Sequence, residues 1–267
     1  MTACFQLQPR PQDDALAPKY APLARRSKIG WTKVAIAALS SVMSVGLMDA
    51  ATAATPASLA DSPAAQKLNK MFSPKIQQIL NSCAQQGSVN LSAGADKDGS
   101  VICANGTRNS PVQFNEYVST VSDFLSASFL VGVRAALQSY PGAQMDMVTS
   151  YLATPDGKAS LQDALTNAIT TSGLVPQSSQ KSVSFLVNRV MQRSLPILQN
   201  TNKFSNLLGS TEQYRKVANN FCKPPGMTVE KARTLVPQLD AVQIYAICVQ
   251  ESGLSDEVQK EIQQPNK

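Results

Sequence analysis

The chain contains no histidine in its 267 residues. That excludes Ser-His and Cys-His nucleophile pairs and every histidine-ligated metal site. Its one tryptophan, Trp31, lies in a leader-like segment, so a processed form would hold none to stack on glycan rings. Charge is scarce, with Asp, Glu, Lys and Arg at 16% against about 25% in ordinary soluble domains. The formal net charge of +6 overstates the basic character. Six of the 24 basic residues (Arg10, Lys19, Arg25, Arg26, Lys28, Lys33) and three of the 18 acids (Asp13, Asp14, Asp49) fall within residues 1–53. The other 18 basic and 15 acidic residues are scattered, and Arg215-Lys216 is the nearest approach to a cluster. A nucleic-acid reader needs a concentrated basic stripe, so nucleic acid is not expected as a partner. CxxC pairs, phosphate-cradling glycine loops and a Gly-x-Ser-x-Gly elbow are all missing. No cofactor and no metal site is expected on these grounds.

What is present begins with a basic stretch, "RRSKIGWTK" at 25–33, followed by the apolar run Val34 to Met48. Ala51-Thr52-Ala53 then supplies small residues for cleavage before Ala54. Basic, apolar and small segments in that order make a secretory signal. The apolar run is short against the roughly 20 residues that span a bilayer, so membrane contact is expected only if the leader stays uncleaved. The reading is an extracytoplasmic protein, periplasmic or secreted. A thylakoid lumen fits the long basic leader too, although Asp13 and Asp14 count against a transit peptide.

Cys4 lies in the leader; Cys83, Cys103, Cys222 and Cys248 remain. An even number behind a secretory signal reads as two disulfides with three pairings open. Cys83–Cys103 and Cys222–Cys248 are favoured because each closes a short local element.

Organisation follows from punctuation. Residues 1–53 read as leader, 54–72 as a small-residue tether, and 73–267 as one helical domain. Ser73-Pro74 caps a first helix that carries Ile76, Ile79, Leu80 and Cys83. Val89/Leu91 and Val101/Cys103 alternate about Asp98-Gly99, which predicts a β-hairpin over 88–104. Asp96-Lys97-Asp98-Gly99 partly fits a calcium loop, but Gly94 and Asn105 stand where ligands belong, so a plain turn is expected. Asn90-Leu91-Ser92 and Asn105-Gly106-Thr107 match the glycosylation sequon.

Ser110-Pro111 opens a long helix to Tyr140, with Phe114, Val118, Val121, Leu125 and Phe129 on one face and Asp123 opposite, facing water. Its second half, from Phe129 to Val133, is apolar all round and should be buried. A helix through Met145, Val148 and Leu152 stops at Pro155-Asp156-Gly157, and Ser160 and Asp163 cap the next one. Pro196 kinks or breaks a later helix. Ser210 to Gln213 form a capping box, Thr228 caps a helix broken at Pro237, and Gly253 ends the helix through Tyr245. Met145, Met147 and Met191 read as gap-fillers in the core.

One stretch bears on chemistry. "YAICVQESGL", Tyr245 to Leu254, resembles the first motif of lytic transglycosylases, in which an apolar helix runs into Glu-Ser-Gly and presents an acid. The resemblance covers about ten residues and implies Glu251 as that acid. Those enzymes build the rest of their cleft from chain after the glutamate, whereas Ser252 to Lys267 follow here without the family's Gly-Leu-Met-Gln element. On the residues alone, Glu251 sits solvated in the last turn of a disulfide-pinned helix.

The expected fold is all-α: a multi-helix bundle with one small N-terminal β-hairpin, braced by two disulfides. The expected function is a non-enzymatic interaction or scaffolding protein with an unknown protein partner. The alternatives are a helical carrier of an apolar ligand held between helices and a cell-wall glycan hydrolase using Glu251.

Overall fold

The structure is a computed structural model, and it describes residues 72–84, 89–91, 99–103, 105–139, 145–171, 180–223 and 228–256. The leader with Ala51, Ala53 and Ala54, the tether up to residue 71 and the calcium-loop-like Asp96 to Asp98 lie outside the described residues.

The described elements are α1 (Pro74–Ala84), β1 (Ser100–Ile102), β2 (Arg108–Gln113), α2 (Phe114–Ser139), α3 (Met145–Ala153), α4 (Pro155–Thr171), α5 (Gln180–Leu198), α6 (Thr201–Ser205), α7 (Thr211–Asn220), α8 (Val229–Leu235) and α9 (Ala241–Ser252). The fold is thus mostly helical. Helix α2 packs along both α9 and α5, and α3 and α4 close against α5. It is long and apolar enough to cross a bilayer, but 83% of its most apolar window is buried inside the protein, so it serves as the central core helix.

Local signals explain most helix ends. Ser73 Oγ accepts from the Ile76 amide at 3.3 Å, which caps α1 in front of Pro74. Ser210 and Gln213 form a reciprocal capping box on α7, and Thr228 caps α8. Asp240 and Gln243 make a second capping box on α9, which ends at Gly253 with φ 86°, a left-handed position that glycine adopts without strain. Leu254 is buried just beyond it.

Several expectations are corrected. The hairpin over 88–104 is seen only at its ends, where the Asn90 amide donates to the Ile102 carbonyl at 2.7 Å; residues 92–98 lie outside the described residues. Val89 meets Cys103 in a single bridge, while β1 pairs with β2, antiparallel and with an irregularity between Ser100 and Val101. Asn105-Gly106, read in the sequence only as a sequon, supplies the turn between β1 and β2. Asn105 Oδ1 accepts from the Thr107 amide at 2.9 Å, and Gly106 takes φ 86°. Ser110-Pro111 accordingly belongs to β2, where an edge position tolerates a proline, and α2 starts at Phe114.

Pro155 starts α4 rather than only stopping α3, so Ser160 and Asp163 lie inside that helix. The cap is Thr154, whose Oγ1 accepts from the Gly157 amide at 3.0 Å. Helix α5 runs on through Pro196 to Leu198. Met145 and Met191 pack against the core, but Met147 is 42% exposed. Phe72, assigned to the tether, is a core residue.

Four aromatic rings form a chain through the core. Phe72 meets Phe124 of α2 at 4.7 Å between centroids, Phe124 meets Tyr245 of α9 at 5.8 Å, and Tyr245 meets Phe221, just after α7, at 5.7 Å. All three contacts are edge-to-face, the arrangement the ring quadrupole favours.

Candidate functional site

Helix α9 is apolar from Val242 to Val249 apart from Gln243, and all of those apolar residues are buried. The last turn emerges at Glu251, which is exposed. Its carboxylate is engaged: Tyr214 of α7 donates a hydrogen bond to Glu251 Oε1 across 37 residues of sequence. Burial first, then the hydrogen bond and charge of Glu251, push the Tyr214 phenol above its ordinary value, so the tyrosine keeps its proton and donates. A glycosidase acid sits in an apolar pocket that raises its pKa. Glu251 instead lies in the open, where its contact links two helices.

The same two helices are joined covalently. Cys222, just after α7, is bonded to Cys248 of α9, and Cys83 of α1 is bonded to Cys103 at the end of β1. These are the pairs favoured by sequence separation. Helix α7 therefore meets α9 through Tyr214–Glu251 near its start, the Cys222–Cys248 bond past its end, and Val217, Ala218 and Phe221 buried between.

A second polar group lies where the sequence wheel misplaced it. Asp123 of α2 is 6% exposed, not solvated. The wheel assumed one buried face, but α2 is buried without interruption from Val121 to Val133, because both α5 and α9 cover it. Arg193 of α5 brings Nε to 3.1 Å from Asp123 Oδ1. The two groups touch without an aligned hydrogen bond, and Oδ1 has no hydrogen-bond partner. Desolvation raises the Asp123 pKa above its ordinary value; Arg193 opposes this, and the nearby Asp240 adds to it. The buried Tyr245 is raised too, mainly by desolvation and then by the charge of Asp123. The Oγ atoms of Ser122 and Ser194 are buried without partners as well. Nothing in the sequence beyond an acid within a helix that proved buried on every side marks Asp123.

A raised carboxylate pKa means the folded state holds the proton more tightly than the unfolded chain. Stability is then favoured below the ordinary Asp value and lost as pH rises through the folded value. Asp123→Asn mimics the protonated form, and Arg193, half exposed, can turn to water. The variant is expected to unfold at higher urea than wild type at pH 7, with the two curves converging near pH 3. A less stable variant at pH 7 would mean that the Arg193 contact outweighs desolvation.

Among the described residues, no group of three or more His, Cys, Asp or Glu side chains is gathered for a metal ion. An open depression of about 460 Å³ lies on the outer face of α7, lined by Thr211, Glu212, Arg215, Lys216, Asn219 and Asn220. It is an open depression on the face of one helix, unlike the enclosed cavity between helices that a carrier requires. The sequon residue Asn105 is exposed at the β1–β2 turn. Comparisons with protein-family models, with curated proteins and with solved structures return no match to this chain.

Proposed function

We propose that this chain is an exported interaction or scaffolding protein that works outside the cytoplasm without catalysis of its own. The observation that carries this reading is the position of Glu251. The one side chain with the local form of a catalytic acid is exposed and bonded to Tyr214, where it joins α7 to α9. The basic–apolar–small layout from Arg25 to Ala53 supports export, and two disulfides suit an oxidising compartment. The low charge of the chain and its wealth of Gln, Asn and Ser fit a polar protein-contact surface.

Protein recovered from its native host should begin at Ala54 by intact mass, in a soluble extracytoplasmic fraction. Purified residues 54–267 should leave peptidoglycan unchanged. Glu251→Gln retains an acceptor for Tyr214, so it is expected to cost only about 0.5–1 kcal/mol, the scale of one surface hydrogen bond. Tyr214→Phe should cost a similar amount, and the double variant little more than either. Peptidoglycan turnover by the wild type that disappears in Glu251→Gln would replace this reading with the glycan hydrolase.

A further inference from the structure

The two disulfides differ in access. Cys83 and Cys103 are each 0% exposed. Cys222 is only half-buried, while its partner Cys248 is 2% exposed. Cys222 lies two residues past Asn220, the last residue of α7, and within that helix only Val217 and Ala218 are buried. The opposite face is exposed and carries Arg215 and Lys216, with Glu212 paired to Lys216 at 2.7 Å. Lys223, adjacent to Cys222 in sequence, is exposed and holds Asn219 Oδ1 at 3.0 Å. Lys223 thus sets a positive charge beside the part-exposed cysteine, which favours an incoming anion.

We infer that Cys222 is a site of thiol–disulfide exchange that takes a small anionic thiol of the glutathione class, and that exchange there releases α7 from α9. The incoming thiolate attacks Cys222 Sγ, a mixed disulfide forms on Cys222, and the bond to Cys248 breaks. Cys248 leaves as a thiolate and takes a proton from water. A second thiolate then attacks the sulfur of the bound thiol, freeing Cys222. Two thiols are oxidised to one disulfide while the protein disulfide is reduced to two thiols. Attack needs access to the sulfur, and of the four bonded cysteines only Cys222 is more than marginally exposed. After release, α7 keeps the Tyr214–Glu251 hydrogen bond and the burial of Val217, Ala218 and Phe221 as its hold on α9.

The test is to incubate the purified, oxidised full chain with reduced glutathione under native conditions, quench with acid and map the cysteines. The expected result is glutathione on Cys222, a free Cys248 and an intact Cys83–Cys103 bond. Amide exchange should accelerate through residues 211–220 and not in α2. Lys223→Gln should slow glutathione several-fold and 2-mercaptoethanol, whose attacking thiolate carries less negative charge, much less. No reaction, a first adduct on Cys248, or both bonds opening together at the rate of global unfolding would overturn the site. Equal slowing of both thiols by Lys223→Gln would overturn its preference for an anionic thiol.

Discussion

Replacing Cys83 by alanine is expected to lower the unfolding free energy by about 2–5 kcal/mol, the usual cost of losing a native disulfide from a secreted domain. The bond closes a separation of 20 residues, and both sulfurs are fully buried. It holds α1, which buries Ile76 and Ile79, to the end of β1. Without the bond, the unfolded chain regains loop freedom, and Cys103 becomes a lone thiol in an apolar setting. Urea unfolding gives the loss directly, and amide exchange should rise first along Pro74–Ala84. A loss below about 1 kcal/mol would show that α1 is held by its apolar face alone. Cys248→Ser follows the same argument over 26 residues, with α7 as the element that loosens.

Gly157→Ala should destabilise by about 1–3 kcal/mol, the range for overpacking a filled site. The sign is opposite to the usual one, because glycine inside a helix ordinarily costs up to about 1 kcal/mol relative to alanine. Here α3 turns directly into α4, and Gly157 is buried in the first turn of α4. A Cβ on it would lie 2.0 Å from the Tyr151 carbonyl oxygen and 3.1 Å from Leu152 Cα. Both are backbone atoms and cannot swing aside as a side chain would. Thr154 tightens the same corner, donating to the Tyr151 carbonyl at 2.7 Å and accepting from the Gly157 amide. Thermal unfolding of the single variant suffices, and an unchanged or raised midpoint would refute the steric argument.

Several helix ends set by one local interaction were legible, though the equally local caps at Thr154, Asn200 and Asp240 were not read. Ser73, Ser210 with Gln213, Thr228 and Gly253 each act within one helical turn, and the structure places each where its residue type demands. Legibility failed where two local signals compete or where burial comes from afar. Pro155 as starter or stopper is the first kind. Asp123 and Phe72 are the second kind: their burial depends on α5 and α9 in one case and on a ring from α2 in the other. The candidate site was half visible. Glu251 could be found from "QESG", but its partner Tyr214 lies on another helix, with no local pattern to join them.

The ring contact between Phe124 and Tyr245 also bears on how the chain is expected to fold. Those residues lie on either side of all the chain from α3 to α8, so joining α2 to α9 closes a very long loop. The entropy of that closure is lost before the apolar contacts can compensate for it, which slows the step that completes the core. Until α9 arrives, the face of α2 that it covers stays exposed and open to association with other chains. Refolding at rising protein concentration should therefore lose yield to aggregation, while the local α3–α4 corner forms early and independently of it.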